Sequence, residues 1–124
     1  MTRQLTSHKV NGLNEELTVC VLDEPGQGNA CHEYSIFRSG AKVDTPDLCH
    51  ISFQNGPIKE CGVNGISAEA LLAIVEDRLI GFQSGQFACR ENAVALTKLQ
   101  ECLMWLQSRT RSRINRGVEG TNIK

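Results

Sequence analysis

The chain has 124 residues, 40% of them apolar and 22% charged, which bounds it to one domain or a small lobe plus a hairpin. Thirteen basic and fourteen acidic residues give a formal net charge of −1, which argues against a general binder of long nucleic acid. No apolar run reaches the roughly 18–20 residues of a membrane span, and the opening MTRQLTSHKVNG has no apolar signal-peptide core, so the expected setting is cytosolic.

The first half reads as strands and turns. Leu17 to Leu22 is β-rich and is followed by the turn cluster Asp23-Glu24-Pro25-Gly26-Gln27-Gly28-Asn29. A second strand is expected at about Ala30 to Phe37, and Arg38-Ser39-Gly40 and Asp44-Thr45-Pro46-Asp47 then punctuate the chain. A third strand should span about Leu48 to Phe53. Asn55-Gly56-Pro57 reads as a tight turn, returning a short fourth strand over Ile58 to Cys61. A sheet of about 3–5 such strands is too small to stand alone without something covering one face.

Gly62-Val63-Asn64-Gly65 marks a boundary, so residues 1–63 form the expected sheet region and 64–124 a helical region. Ser67 suits an N-cap for a helix from Ala68 to Gln83, with Glu69 in its first turn. Ser84-Gly85-Gln86 turns the chain, and a longer helix runs back antiparallel from Ala88 to about Arg116. Beyond Gly117 the helical pattern stops, and Val118 to Lys124 reads as a flexible tail. The expected fold class is α+β: a small N-terminal antiparallel sheet, then a C-terminal antiparallel helical hairpin, oligomeric.

Six cysteines, Cys20, Cys31, Cys49, Cys61, Cys89 and Cys102, form no C-x-x-C pair and suit reduced thiols, mostly buried in a small core. Cys31-His32 and Cys49-His50 are adjacent pairs, and strand neighbours point to opposite faces, so a zinc site is not expected. His32 and His50 have no motif partners that would make a nucleophile and base legible.

The second helix carries the chemistry. Leu96, Leu99, Leu103 and Leu106 recur at spacings of 3 and 4, the signature of a buried stripe, and Ala95, Cys102 and Trp105 widen it. Both helices carry more apolar arc than one hairpin partner covers, which points to an oligomer. Arg109, Arg113 and Arg116 share one face near the C-terminal end. They stabilise the helix dipole there, and they also offer guanidinium forks to a phosphate. Phe82 and Asn92 lie at the hairpin tip, and the 17 residues from Asn92 to Arg109 span about 25 Å of helix. One protomer therefore cannot bring these groups to one small ligand. An antiparallel two-fold dimer can, with an aromatic ring, an amide and two guanidiniums in each of two pockets, a set suited to a nucleotide. Plainer roles stand beside this: Phe82 as a cap over the hairpin, Asn92 as a solvated first-turn residue, the arginines as a solvated helix end, and Trp105 in the hairpin or dimer core.

Ile51-Ser52-Phe53-Gln54-Asn55-Gly56-Pro57-Ile58-Lys59-Glu60, Gly62-Val63-Asn64-Gly65-Ile66, Leu71-Leu72-Ala73-Ile74-Val75 and the block from Asp77-Arg78-Leu79 to Val118-Glu119-Gly120-Thr121 resemble the phage Thoeris anti-defence proteins of the first type. The hairpin is also similar to that of the anti-CBASS cyclic-oligonucleotide sponge. The resemblance covers about Leu48 to Thr121, with Gln86 standing where many relatives have proline. It implies a non-catalytic sponge that sequesters glycocyclic ADP-ribose, the TIR-derived signal of Thoeris, inside the infected bacterial cell. It implies ligand contacts at Phe82, Asn92, Arg109 and Arg113, no cofactor, and a homo-oligomer, a dimer or a hexamer. Distinct sites for cyclic trinucleotides are implied as well, with Arg90 as the candidate. The competing classes are a sponge mainly for cyclic oligonucleotides, an enzyme degrading such signals, and a structural oligomer whose arginines bind a protein.

Overall fold

Alternation of apolar and β-branched residues extends Leu17-Thr18-Val19-Cys20-Val21 into a strand, and the sheet grows around it. The computed structural model describes residues 3–42 and 44–124. It divides into two compact units: the chain to Gly56 with Cys61–Ile66, and Pro57–Glu60 with Ser67–Lys124.

The first unit is a four-stranded antiparallel sheet in the order β1 (Arg3–Leu5), β2 (Leu17–Val21), β3 (Glu33–Arg38), β4 (Cys49–Ser52). Val21 faces Arg3 on one side and Tyr34 on the other, and Tyr34 in turn faces Ile51. A short helix, α1 (Gly12–Glu15), precedes β2, with the Asn11 side chain accepting from the Asn14 N–H at 3.1 Å. Among the described residues, Cys20, Val21, Cys31, His32 and Ser35 are buried. Cys49, Cys61, Cys89 and Cys102 are exposed in the single chain, so a small core does not account for most of the thiols.

The turn between β2 and β3 is closed by one carboxylate. Asp23 accepts from the backbone N–H of His32 at 2.9 Å and of Glu33 at 3.1 Å. Desolvation pushes its pKa up, but the backbone N–H donors outweigh that and hold it below the usual 3.8.

The fourth strand comes from the N-terminus, and the segment expected to supply it is helical. Ile58–Cys61 forms α2. Pro57 stands just before it, with φ preset for a first turn and no N–H to leave unpaired, and Glu60 N–H reaches back to its carbonyl at 3.0 Å. Gly62, at φ +69°, ends the turn. Asn64 then stitches the loop, accepting from Asn55 N–H at 2.8 Å and donating to the Asn55 carbonyl at 2.7 Å. Ile66 N–H donates to the Ser52 carbonyl at 2.9 Å, and Phe53 and Ile66 form a parallel bridge.

In the second unit, α3 (Ala68–Gln83) starts at Ser67, whose hydroxyl accepts from Ala70 N–H at 3.1 Å. The longer α4 (Arg90–Asn115) packs beside it. Its half-buried positions are Asn92, Leu96, Leu99, Leu103, Leu106, Thr110 and Arg113, a spacing of 4 and 3 repeated throughout. Glu69, Leu72, Glu76, Leu79 and Gln83 repeat the pattern on α3. No residue of either helix is buried, and Ile74, Ile80, Val94, Met104 and Ile114 lie exposed with Trp105, which is 69% accessible and outside the seam.

Two predictions follow from the first unit's packing. A Cβ at Gly65 would stand 2.4 Å from the Phe53 carbonyl carbon, so Gly65→Ala should lower stability by about 1–3 kcal/mol in a denaturant titration. An unchanged midpoint would mean that the Phe53–Ile66 bridge does not hold in solution. Asp23 has a depressed folded pKa, so its stabilisation is present above 3.8 and is lost as pH falls through the lower folded value. The melting gap between wild type and Asp23→Asn should therefore be full near neutrality and should close on acidification.

Candidate functional site

Helical geometry divides the arginines at the end of α4. Positions advance by about 100° per residue, so Arg109 and Arg116 lie about 20° apart, while Arg113 is about 40° from Arg109. Arg113 continues the leucine seam, whereas Arg109 and Arg116 are exposed. A cavity of about 260 Å³ lies among Arg109, Ser112, Arg113, Arg116 and Lys124. Four cationic side chains line this small volume, and guanidinium forks are chemically matched to phosphate or carboxylate oxygens.

Arg113 differs from the others in what it touches. Its side chain is 12% exposed and its Nε donates to Glu119 Oε2 at 3.1 Å. Nη1 donates to the Ile123 carbonyl at 2.7 Å, and Nη2 to the carbonyls of Val118 and Thr121, each at 3.0 Å. The helix ends in the two bonds of a Schellman motif, Val118 N–H to the Arg113 carbonyl and Gly117 N–H to the Ile114 carbonyl, with Gly117 at φ +73°. The sequence signal for this closure was Gly117 itself; nothing in the sequence announced the four bonds from Arg113.

At the other end of the hairpin, Phe82 is partly exposed in the last turn of α3. The Arg78 guanidinium lies over its ring at 5.4 Å, and Phe87 meets it edge-on at 6.5 Å. The i, i+4 spacing of Arg78 and Phe82 was the legible signal for that contact. Asn92 is half-buried on the seam, and its N–H is capped by Cys89 Sγ at 3.4 Å. Arg90 opens α4 and lines a separate depression of about 410 Å³ with Glu91, Val94 and Ala95. Within one chain the structure thus brings Arg109 and Arg113 together, and it leaves Phe82 and Asn92 at the far end of the hairpin, as the helix length requires.

His50 has partners that the sequence did not reveal. Its Nε2 lies 2.8 Å from Glu33 Oε2 and its Nδ1 lies 2.9 Å from Ser35 Oγ. The trio resembles a nucleophile, base and orienting acid, but Ser35 is 2% exposed and donates its proton to Asp47 at 2.8 Å. Toward His50 the hydroxyl therefore accepts, the reverse of the direction a nucleophile–base pair needs. This cluster ties β3 to β4. Among the described residues no group of three or more His, Cys, Asp or Glu side chains is placed to hold a metal ion, and no helix is long and apolar enough to cross a membrane.

The family described as "Acb2/Tad1, hairpin domain" matches residues 45–111, more than half of the chain. The chain is also similar to "Thoeris anti-defense 1" of Bacillus phage SBSphiJ7, with 54% identity over 77 residues. That alignment takes in 62% of this chain and 54% of the relative, so the match spans about half of the relative's length.

Proposed function

The chain belongs to the Acb2/Tad1 hairpin-domain family, and from that premise we propose that it is a phage anti-defence protein that counters Thoeris by sequestering glycocyclic ADP-ribose without cleaving it. The observation that carries the reading is the small cationic cavity at the end of α4, whose guanidiniums suit the diphosphate of such a ligand. Phe82, Asn92, Arg109 and Arg113 define the proposed pocket. Phe82 offers an aromatic face to a base, Asn92 an amide to its polar edge, and the arginine end neutralises the phosphates.

Because about 25 Å of helix separates Asn92 from Arg109, the pocket is completed between chains. An antiparallel two-fold pairing lays the tip of one hairpin beside the arginine end of its mate and covers the apolar side chains that each hairpin leaves exposed. The protein acts as this homodimer, or as a hexamer built from it, in the cytoplasm of the infected cell. The depression beside Arg90 supports a second, separate site for cyclic trinucleotides, which would extend the same sequestration to CBASS signals.

The pairing is tested by mixing two damaged proteins. Phe82→Ala and Arg109→Ala should each bind glycocyclic ADP-ribose poorly, because every pocket in either homodimer lacks one contact. After subunit exchange, a mixed dimer holds one doubly damaged pocket and one intact pocket. Calorimetry should then recover about one site per mixed dimer. Absence of recovery despite verified exchange would place the pocket within a single chain.

A further inference from the structure

We propose that the sheet unit carries an anion site of its own, a pocket for a phosphate monoester at the turn that follows β3. A cavity of about 310 Å³ lies there, with Arg38 and Lys42 on its rim. That volume stands at the lower end of the roughly 300–1,000 Å³ of small-ligand pockets. Strand pairing supplies the floor. Gln4 pairs with Cys20, Cys20 with Ser35 and Thr18 with Phe37, so Gln4, Thr18 and Phe37 project from one face of the sheet. The site lies wholly within the first unit, so it depends neither on the ligand nor on the pairing proposed for the hairpin.

Charge singles this place out. The first unit is acidic: its described cations, Arg3, Lys9, Arg38 and Lys42, are outnumbered by its Asp and Glu residues. Two of those cations line this one cavity, and among the described residues no carboxylate lines it. Glu16 Oε2 lies 4.0 Å from Arg38 Nε, with both side chains largely exposed. So long a contact between solvated groups contributes little and leaves the guanidinium open to a better partner.

The rim is held in place before any ligand arrives. Ser39 N–H donates to the Glu16 carbonyl at 2.7 Å, and its hydroxyl donates to the Glu15 carbonyl at 3.0 Å and accepts from Thr18 Oγ1 at 2.8 Å. Ala41 N–H closes the turn on the Arg38 carbonyl at 3.1 Å, with Gly40 at φ +79° in the third position, where a type II turn needs glycine. These bonds fix where the two cations leave the backbone, which reduces the ordering that binding requires. A phosphate monoester is close to dianionic at neutral pH, and its oxygens suit a guanidinium fork and an ammonium together. The organic group then fills the remaining volume, against Phe37 and within reach of the Gln4 amide.

Backbone amide shifts of the full chain, followed by NMR during titration with adenosine 5′-monophosphate and separately with inorganic phosphate, test the site residue by residue. The Gly40, Ala41 and Lys42 amides should move with both probes and saturate at several-fold lower concentrations of the nucleotide. Arg38→Gln and Lys42→Gln should each weaken the binding read at those amides by roughly tenfold, and added salt should weaken it in wild type. Glu16→Gln removes the competing carboxylate and should tighten it. Both cations are exposed, so neither substitution threatens the fold. The arginine end of α4 is a second destination for either probe, and Arg109→Ala should leave the response at Gly40, Ala41 and Lys42 as in wild type. Amides there that stay still in wild type, or that respond unaltered in both Arg38→Gln and Lys42→Gln, would overturn the site. Equal affinity for the nucleotide and for inorganic phosphate would also overturn the proposal, by reducing the pocket to one for the bare anion.

Discussion

Two helices packed side by side cannot enclose a core, and much of this molecule's character follows from that constraint. Each helix meets the other along a single seam with 4 and 3 spacing, and no residue on it becomes fully buried. The remaining apolar side chains, Trp105 and Met104 foremost, face outward in the single chain. A second copy is the simplest cover of suitable chemistry under the proposed function, and it also resolves the distance problem of the pocket. Under the proposed function, surface that costs solubility in one chain is the means of assembling a site from two.

The same seam sorts the charges. Asn92 and Arg113 occupy its two ends, where a leucine would otherwise stand. Arg113 can sit there because its donors are satisfied by a carboxylate and three carbonyls, the condition under which a largely buried cation is tolerated. Arg109 and Arg116, off the seam, stay in solvent. One helical repeat thus separates an arginine bonded to the C-terminal segment from arginines left in solvent. The two kinds look alike in the sequence.

The helical half was legible because its signals are local. Ser67 capped the first helix where expected, and the leucine spacing carried the second from Arg90 to Asn115. The sheet was read less well where structure depends on distant partners. Arg3–Leu5 is short and polar and becomes a strand only through β2, and Ile58–Cys61 has β-like composition but starts from Pro57 and turns helical. The grouping of Phe82, Asn92, Arg109 and Arg113 came from helix length and from family resemblance. What stayed hidden was side-chain pairing without a local spacing signal: Glu33 and Ser35 around His50, and the four bonds from Arg113. Such contacts arise only once the backbone has brought distant positions together.

Sequestration differs from catalysis in what happens to the ligand. The most direct measurement is to saturate the purified protein with glycocyclic ADP-ribose, remove free ligand, denature the complex, and identify the released molecule by mass spectrometry. Unchanged glycocyclic ADP-ribose, recovered in proportion to protein after prolonged incubation, is the predicted result. Recovery of a cleaved or rearranged product would make the protein an enzyme, and an empty protein would remove the ligand from the account altogether.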